Sequence, residues 1–272
     1  MGLLDFGAVA EGGVKGPYTD YDTALTALRA DAGANDGDAY QLDSGQLFAA
    51  YTSEGPGILI PSDLYPQIDA YVSNATGIAH QTTADTQADL VARGWTTTTR
   101  GSGTITGGDG SPFRLDTVTG NATGASIVFL PTTNATHSLM LIKIQPISGT
   151  STAITRLRIY TGTHYFQISC TDGVLGQFDT YQFSTSGPVP ETLGQFTDTT
   201  AQWYLMLYNN TNTNSVAYWT RIDGPPEERI SVEVSNLKTS TSSSQVNIAV
   251  DRGSVGSQGS FDLYETHALV LT

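Results

Sequence analysis

The chain has 272 residues and a mass of 28.8 kDa, enough for one large β-sandwich or two modest domains that each bury a core. Its 12 Lys and Arg stand against 26 Asp and Glu, a net charge of −14 that repels nucleic-acid backbones and anionic membrane surfaces. Charged residues make up only 14% where about 25% is usual, while 39 threonines and 29 glycines favour strands and turns over helices.

In chain order, the Gly-rich stretch from Gly7 to Gly16 reads as an arm. Asp20-Tyr21-Asp22 then opens a short helix carrying Leu25 and Leu28, which ends at Gly33. Gly37–Leu42 and Gln46–Tyr51 flank Asp43-Ser44-Gly45, a three-residue hairpin turn in which Gly supplies positive φ. Ile58–Pro61 reads as a short strand, Pro61 and Pro66 bracket a loop or single helical turn, and Thr83–Ala92 reads as a second brief helix ending at Gly94. This portion, residues 1–93, looks too thin in core to stabilise itself and is expected to pack on a partner.

From residue 94 the pattern is strand after strand. The candidates are Gly103–Thr106, Pro112–Thr117, Ala125–Leu130, Ser138–Gln145, Ile154–Tyr160, Tyr165–Cys170, Gly176–Phe183, Gln202–Asn209, Ser215–Ile222, Arg229–Leu237, Gln245–Asp251 and Ser260–Leu271. So many short strands over residues 94–272 exceed one flat sheet and predict two packed layers, a jelly-roll sandwich. Trp203–Tyr208 is apolar on both faces, the mark of a central strand, and is expected to pair with Ser215–Thr220. In Arg156-Leu157-Arg158-Ile159 the alternation sends Leu157 and Ile159 inward.

Motifs that carry chemistry are sparse. A single cysteine, Cys170, excludes an internal disulfide and Cys-based zinc sites, and His80, His137, His164 and His267 stand far apart in the sequence. No cofactor or metal site is expected. No cationic-plus-apolar leader is visible, nor a run of about 18 apolar residues that could insert in a membrane. Asp36-Gly37-Asp38 and Gly107–Gly110 could offer oxygens to calcium, but neither continues into a twelve-residue loop ending in Glu, and turn geometry explains both more simply. There is no Gly-x-Ser-x-Gly elbow. Glu233, after Glu227 and Glu228, is the one candidate for a glycosidase carboxylate. Tyr218, Trp219, Asn209 and Asn212 cluster around the 209–214 loop and are the candidate glycan-binding residues: rings stack on sugar faces and amides bond hydroxyls, with core packing as the alternative for Trp219.

Two resemblances extend this reading. Tyr21–Arg29 followed by Gly37-Asp38-Ala39-Tyr40 resembles the start of tailed-phage tail-fibre and virion-surface proteins. Gly94-Trp95, Phe113-Arg114-Leu115, Trp203, Asp223-Gly224, Phe261-Asp262-Leu263-Tyr264 and Ala268-Leu269 resemble the concanavalin-type or laminin-G-like sandwich. Together they imply a mainly β protein: an antiparallel, concanavalin-like β-sandwich (jelly roll) preceded by a small α+β attachment region. The implied role is that of a non-enzymatic structural protein of a phage particle surface, a tail-fibre or receptor-binding component. The alternatives are a capsid decoration protein and a soluble concanavalin-like lectin or glycoside hydrolase or lyase. The expected partners are other virion proteins through the N-terminal region, a homo-oligomer of trimeric order, and a host surface glycan, with no nucleic acid and no membrane insertion.

Overall fold

The computed structural model describes residues 13–52, 55–63, 65, 75–117, 124–129, 137–147, 155–161, 164–171, 174–182, 202–210, 215–222, 231–234, 246–252 and 259–271. The chain divides into two compact units, one of residues 1–74 with 222–229, the other of residues 75–221 with 230–272.

In the first unit, β1 (Val14–Tyr18) lies parallel to β2 (Ala39–Leu42), which continues into β3 (Leu47–Tyr51) and β4 (Ile58–Pro61) to make a four-stranded sheet in that order. Helix α1 (Tyr21–Ala30) starts where the Asp20 side chain accepts the Thr23 N–H, a side-chain N-cap. It buries Tyr21, Ala24, Leu25 and Leu28 at helical spacing. Gly45 takes φ +84° in the β2–β3 turn, as the hairpin reading requires.

The expectation of a core-poor arm fails here. Residues 7–12 of the Gly-rich stretch lie outside the described residues, residues 14–16 belong to β1, and the unit buries Tyr21, Tyr40, Phe48, Tyr51, Leu59 and Ile60 almost completely. Aromatic side chains bury large areas each, so a few of them build a core in a short segment. The Tyr21 ring meets Phe48 edge-on at 5.2 Å, and its hydroxyl donates to the Leu59 carbonyl.

The second unit begins at Ala75, ahead of the compositional change at Gly94. Residues 75–93, assigned to the N-terminal region on composition, belong with the sandwich. The reason is pairing: β5 (Ala75–Thr82) adds antiparallel to β18 (Gly259–Leu271), and α2 (Gln87–Ala92), closed at its start by a Thr86/Asp89 capping box, leads directly into β6 (Trp95–Arg100).

One sheet runs β16 (Ser231–Val234), β15 (Ser215–Arg221), β14 (Trp203–Asn210), β10 (His137–Ile147), β18, β8 (Ser111–Thr117), β7 (Thr104–Gly108), with β5 beside β18. The other runs β13 (Val174–Gln182), β12 (His164–Thr171), β11 (Thr155–Thr161), β17 (Val246–Arg252), β9 (Gly124–Phe129), β6. All twelve strands expected from the sequence are present, and β14 pairs with β15 as expected. Strands β8 and β18 lie over β9, β11 and β17, so the two sheets stack face to face. Phe113, Leu115, Phe261, Leu263, Ile142 and Ile144 meet Ala125, Ile127, Ile248 and Val250 between the layers. In the register of β11 with β17, Leu157 pairs with Val250 and Ile159 with Ile248.

Candidate functional site

Strand alternation divides the larger sheet into an inner face and an outer face, and the outer rows carry polar side chains beside buried apolar ones such as Leu139, Leu141 and Met206. In β8, Phe113, Leu115 and Thr117 are buried while Arg114 and Asp116 between them are part-exposed. The outer register continues through Asp262, Tyr264, Glu265 and His267 on β18, Gln145 and Lys143 on β10, Tyr204 on β14 and His80 on β5. The β18 register shifts between its pairings with Lys143 and Ile144, so Leu263 faces inward while Glu265, two residues on, pairs with Lys143 on the outside.

The groups on this face engage one another across strands. Arg114 grips Asp262 through two parallel hydrogen bonds, Nε to Oδ1 at 2.7 Å and Nη2 to Oδ2 at 2.8 Å. That geometry raises the guanidinium pKa and fixes its plane, with the arginine side chain still 43% exposed. The Tyr264 hydroxyl donates to Gln145 Oε1 at 2.9 Å. The Lys143 ammonium sits 4.8 Å from the centroid of the Tyr204 ring. Glu265 and His267 are hydrogen-bonded through Oε1 and Nε2, and His80 stacks on His267 with centroids 6.2 Å apart. Burial first, then the nearby Arg93 and His267 charges, lowers the His80 pKa from its ordinary value.

The edge of this face is built by the entry into the sandwich. The His80 carbonyl accepts from the Trp95 indole and from Arg93, and Arg93 Nη1 binds Asp85 Oδ2 at 2.6 Å. Asp85 in turn accepts the Thr82 N–H, closing the β5–α2 turn. The histidines that stand apart in the sequence therefore include one adjacent pair, His80 and His267. Among the described residues no three His, Cys, Asp or Glu side chains are placed to hold a metal ion.

The sequence-derived candidates fall elsewhere. Asn209 pairs with Ser138 and Val216, Tyr218 with Leu207 and Val232, Trp219 with Met206 and Ser231. Tyr218 and Trp219 are consecutive residues of β15. Asn212, Glu227 and Glu228 lie outside the described residues, and Glu233 pairs with Ala217 on the edge strand β16. Both calcium candidates are occupied by turn chemistry: Asp36 Oδ1 accepts the Thr52 N–H and hydroxyl, Asp38 Oδ2 accepts the Asn35 N–H, and Asp109 holds φ +55°.

The outer-face residues carry one signal in the sequence. Asp262, Tyr264, Glu265 and His267 lie close together in one long strand that ends in the apolar run Ala268–Leu271. Alternation alone could not say which of them share a face, because the β18 irregularity changes the phase midway.

No protein-family model matches the sequence, and no curated protein matches it. Among solved structures, a sialidase matches 88% of this chain at 8% identity with a TM-score of 0.50, and the match spans 22% of that sialidase chain. The potassium-bound Emp46p carbohydrate recognition domain matches 69% of this chain and 94% of its own at 12% identity, TM-score 0.49. A carbohydrate esterase from a Shiga toxin-encoding bacteriophage matches 71% of this chain and 98% of its own at 10% identity, TM-score 0.48. At such identities likeness speaks for fold alone. The fold is mainly β, and the second unit is an antiparallel sandwich of the concanavalin-like kind.

Proposed function

We propose that this chain is a non-enzymatic, glycan-binding component of a tailed-phage particle surface, in which the outer face of the larger sheet receives a surface carbohydrate. The observation that carries the reading is the cross-strand row Arg114–Asp262, Tyr264–Gln145 and Lys143–Tyr204. Its part-exposed members, Arg114, Lys143, Gln145 and the ring of Tyr264, combine an aromatic with donors and acceptors on rigid strands, the mixture that recognises a sugar's apolar face and its hydroxyls, while Tyr204 and Asp262 beside them are buried. The resemblance of Tyr21–Tyr40 to virion-surface proteins supports the particle assignment and gives the first unit the attachment role.

The test is binding of the purified chain to a panel of bacterial surface polysaccharides by calorimetry, with Arg114→Ala and Tyr264→Phe as variants. Saturable binding that weakens at least about ten-fold in Arg114→Ala, a loss of about 1.4 kcal/mol, is the expected result. Binding unchanged in both variants, or no binding to any polysaccharide or host cell, sinks the proposal. Polysaccharide cleavage that disappears in Glu265→Gln would instead make the Glu265–His267 pair an acid–base device and the chain an enzyme.

A further inference from the structure

Sugars reach a protein in two electrical forms. A neutral sugar offers hydroxyls, whereas a uronic or sialic acid adds a carboxylate, which proteins meet best with the planar fork of an arginine. The charges on the outer face of the larger sheet distinguish between the two.

The described cations of this face already stand beside carboxylates. Arg114 gives Nε and Nη2 to Asp262, the two-pronged edge that an incoming carboxylate would use. The Asp262 side chain is only 7% exposed, so a ligand that drew the arginine away would leave a buried carboxylate without its cation. Lys143 pairs with Glu265 in the register of β10 with β18. Asp116 adds a further carboxylate, two residues from Arg114 on β8, about 7 Å along the strand and on the same face. Among the described residues of this face, Asp116, Asp262 and Glu265 outweigh Arg114 and Lys143, on a chain of net charge −14.

The groups around Asp116 suit hydroxyls. On β7, Thr104 pairs with Asp116 and Thr106 with Arg114, and both threonines are exposed. On β18, Ser260 pairs with Asp116 and donates its hydroxyl to Asp116 Oδ1, and both residues are part-exposed. A carboxylate accepts sugar O–H groups in strong bonds to a charged acceptor, and the neighbouring hydroxyls can donate or accept.

We propose, resting on the glycan-binding reading above, that this patch selects uncharged sugars, with Asp116 the residue that accepts their hydroxyls and turns acidic sugars away. Discrimination of this kind comes as much from repelling the wrong ligand as from holding the right one.

The test is calorimetry of the full chain against bacterial surface polysaccharides of two sets, one neutral and one bearing uronic or sialic acids. The tightest binder should be neutral, with an affinity that stays level between about 0.01 M and 1 M salt, while any weak binding of acidic polymers should strengthen as salt screens the repulsion. Asp116→Asn keeps an oxygen for Ser260 and removes the charge. It should weaken neutral binding at least about ten-fold and narrow the gap to the acidic set. Asp43→Asn, exposed in the β2–β3 turn, removes the same charge elsewhere and should leave the selectivity unchanged. An acidic polysaccharide as the tightest binder, or selectivity indifferent to Asp116→Asn, overturns this proposal and leaves the glycan-binding reading standing. Binding to neither set overturns both.

Discussion

The two units use acidic residues for different ends. In the first unit Asp20, Asp31, Asp36 and Asp38 each accept a backbone N–H, and two of them also bind one lysine. Asp20 caps α1, Asp31 accepts the Gly33 N–H, Asp36 holds Thr52, and Asp38 takes both Asn35 N–H and the Lys15 ammonium. Lys15, at 2.7 Å from Asp31 and 2.8 Å from Asp38, ties β1 to the turn that precedes β2. On the outer face of the sandwich, Asp262 and Glu265 pair with side chains of the sheet surface, Arg114 and His267, with part of the array exposed to solvent. Carboxylates that hold backbone amides are committed to folding, whereas Asp262 holds a guanidinium that is itself part-exposed to solvent.

The largest expected effect separates folding from recognition. Phe48→Ala in the first unit should cost about 3–5 kcal/mol of stability, because the ring is fully buried against Tyr21. A denaturant titration measures it, and polysaccharide affinity per folded molecule should not move. An equal loss of affinity would erase the division of labour between the units.

Asp262→Asn should do the reverse. It breaks the two-pronged grip on a half-exposed arginine, costing about 1–3 kcal/mol of stability and reducing glycan affinity at least about ten-fold. Calorimetry and thermal melts on the same sample separate the two quantities. A stability loss with intact affinity would make the pair purely structural.

Lys15→Met should destabilise the first unit by about 1–3 kcal/mol, by leaving the buried Asp38 carboxylate without its cation. Its pH signature follows from two opposite shifts. The Lys15 pKa is raised, chiefly by hydrogen bonds to Asp31 and Asp38, so its contribution is complete through the neutral range and is lost only as alkaline pH passes the raised value. The Asp31 pKa is lowered, first by Lys15 and then by the Gly33 N–H, so its contribution is present above the ordinary carboxylate value of about 4 and is lost as pH falls through the lowered one. In Lys15→Met the acid limb of a stability-versus-pH curve should therefore flatten.

The smallest effect belongs to His80. Its lowered pKa means the unfolded chain takes up the proton first, so stability is full above the ordinary histidine value of about 6.5 and declines as pH falls from there to the lowered value. His80→Gln should remove that part of the slope in a series of denaturant titrations from pH 7 to pH 5. An unchanged slope would assign the decline to another group.

Residue by residue, the sequence determined the strands and turns of this protein. Alternation, Gly45 at the hairpin, Asp20 before α1 and the apolar run Trp203–Tyr208 are local signals, and each reports a local backbone preference or the burial of one segment. Tertiary structure decided the rest. Residues 75–93 joined the sandwich because β5 pairs with β18 at the far end of the chain, a choice no nearby residue encodes. The glycan candidates around residues 209–219 were linked by sequence proximity, and the structure places Asn209 on β14 and Tyr218 and Trp219 on β15. The outer-face row joins Arg114 to Asp262 and His80 to His267 across most of the chain. Those meetings depend on strand order and on one irregularity in β18, both set by how two sheets bury their apolar faces together rather than by any single stretch of sequence.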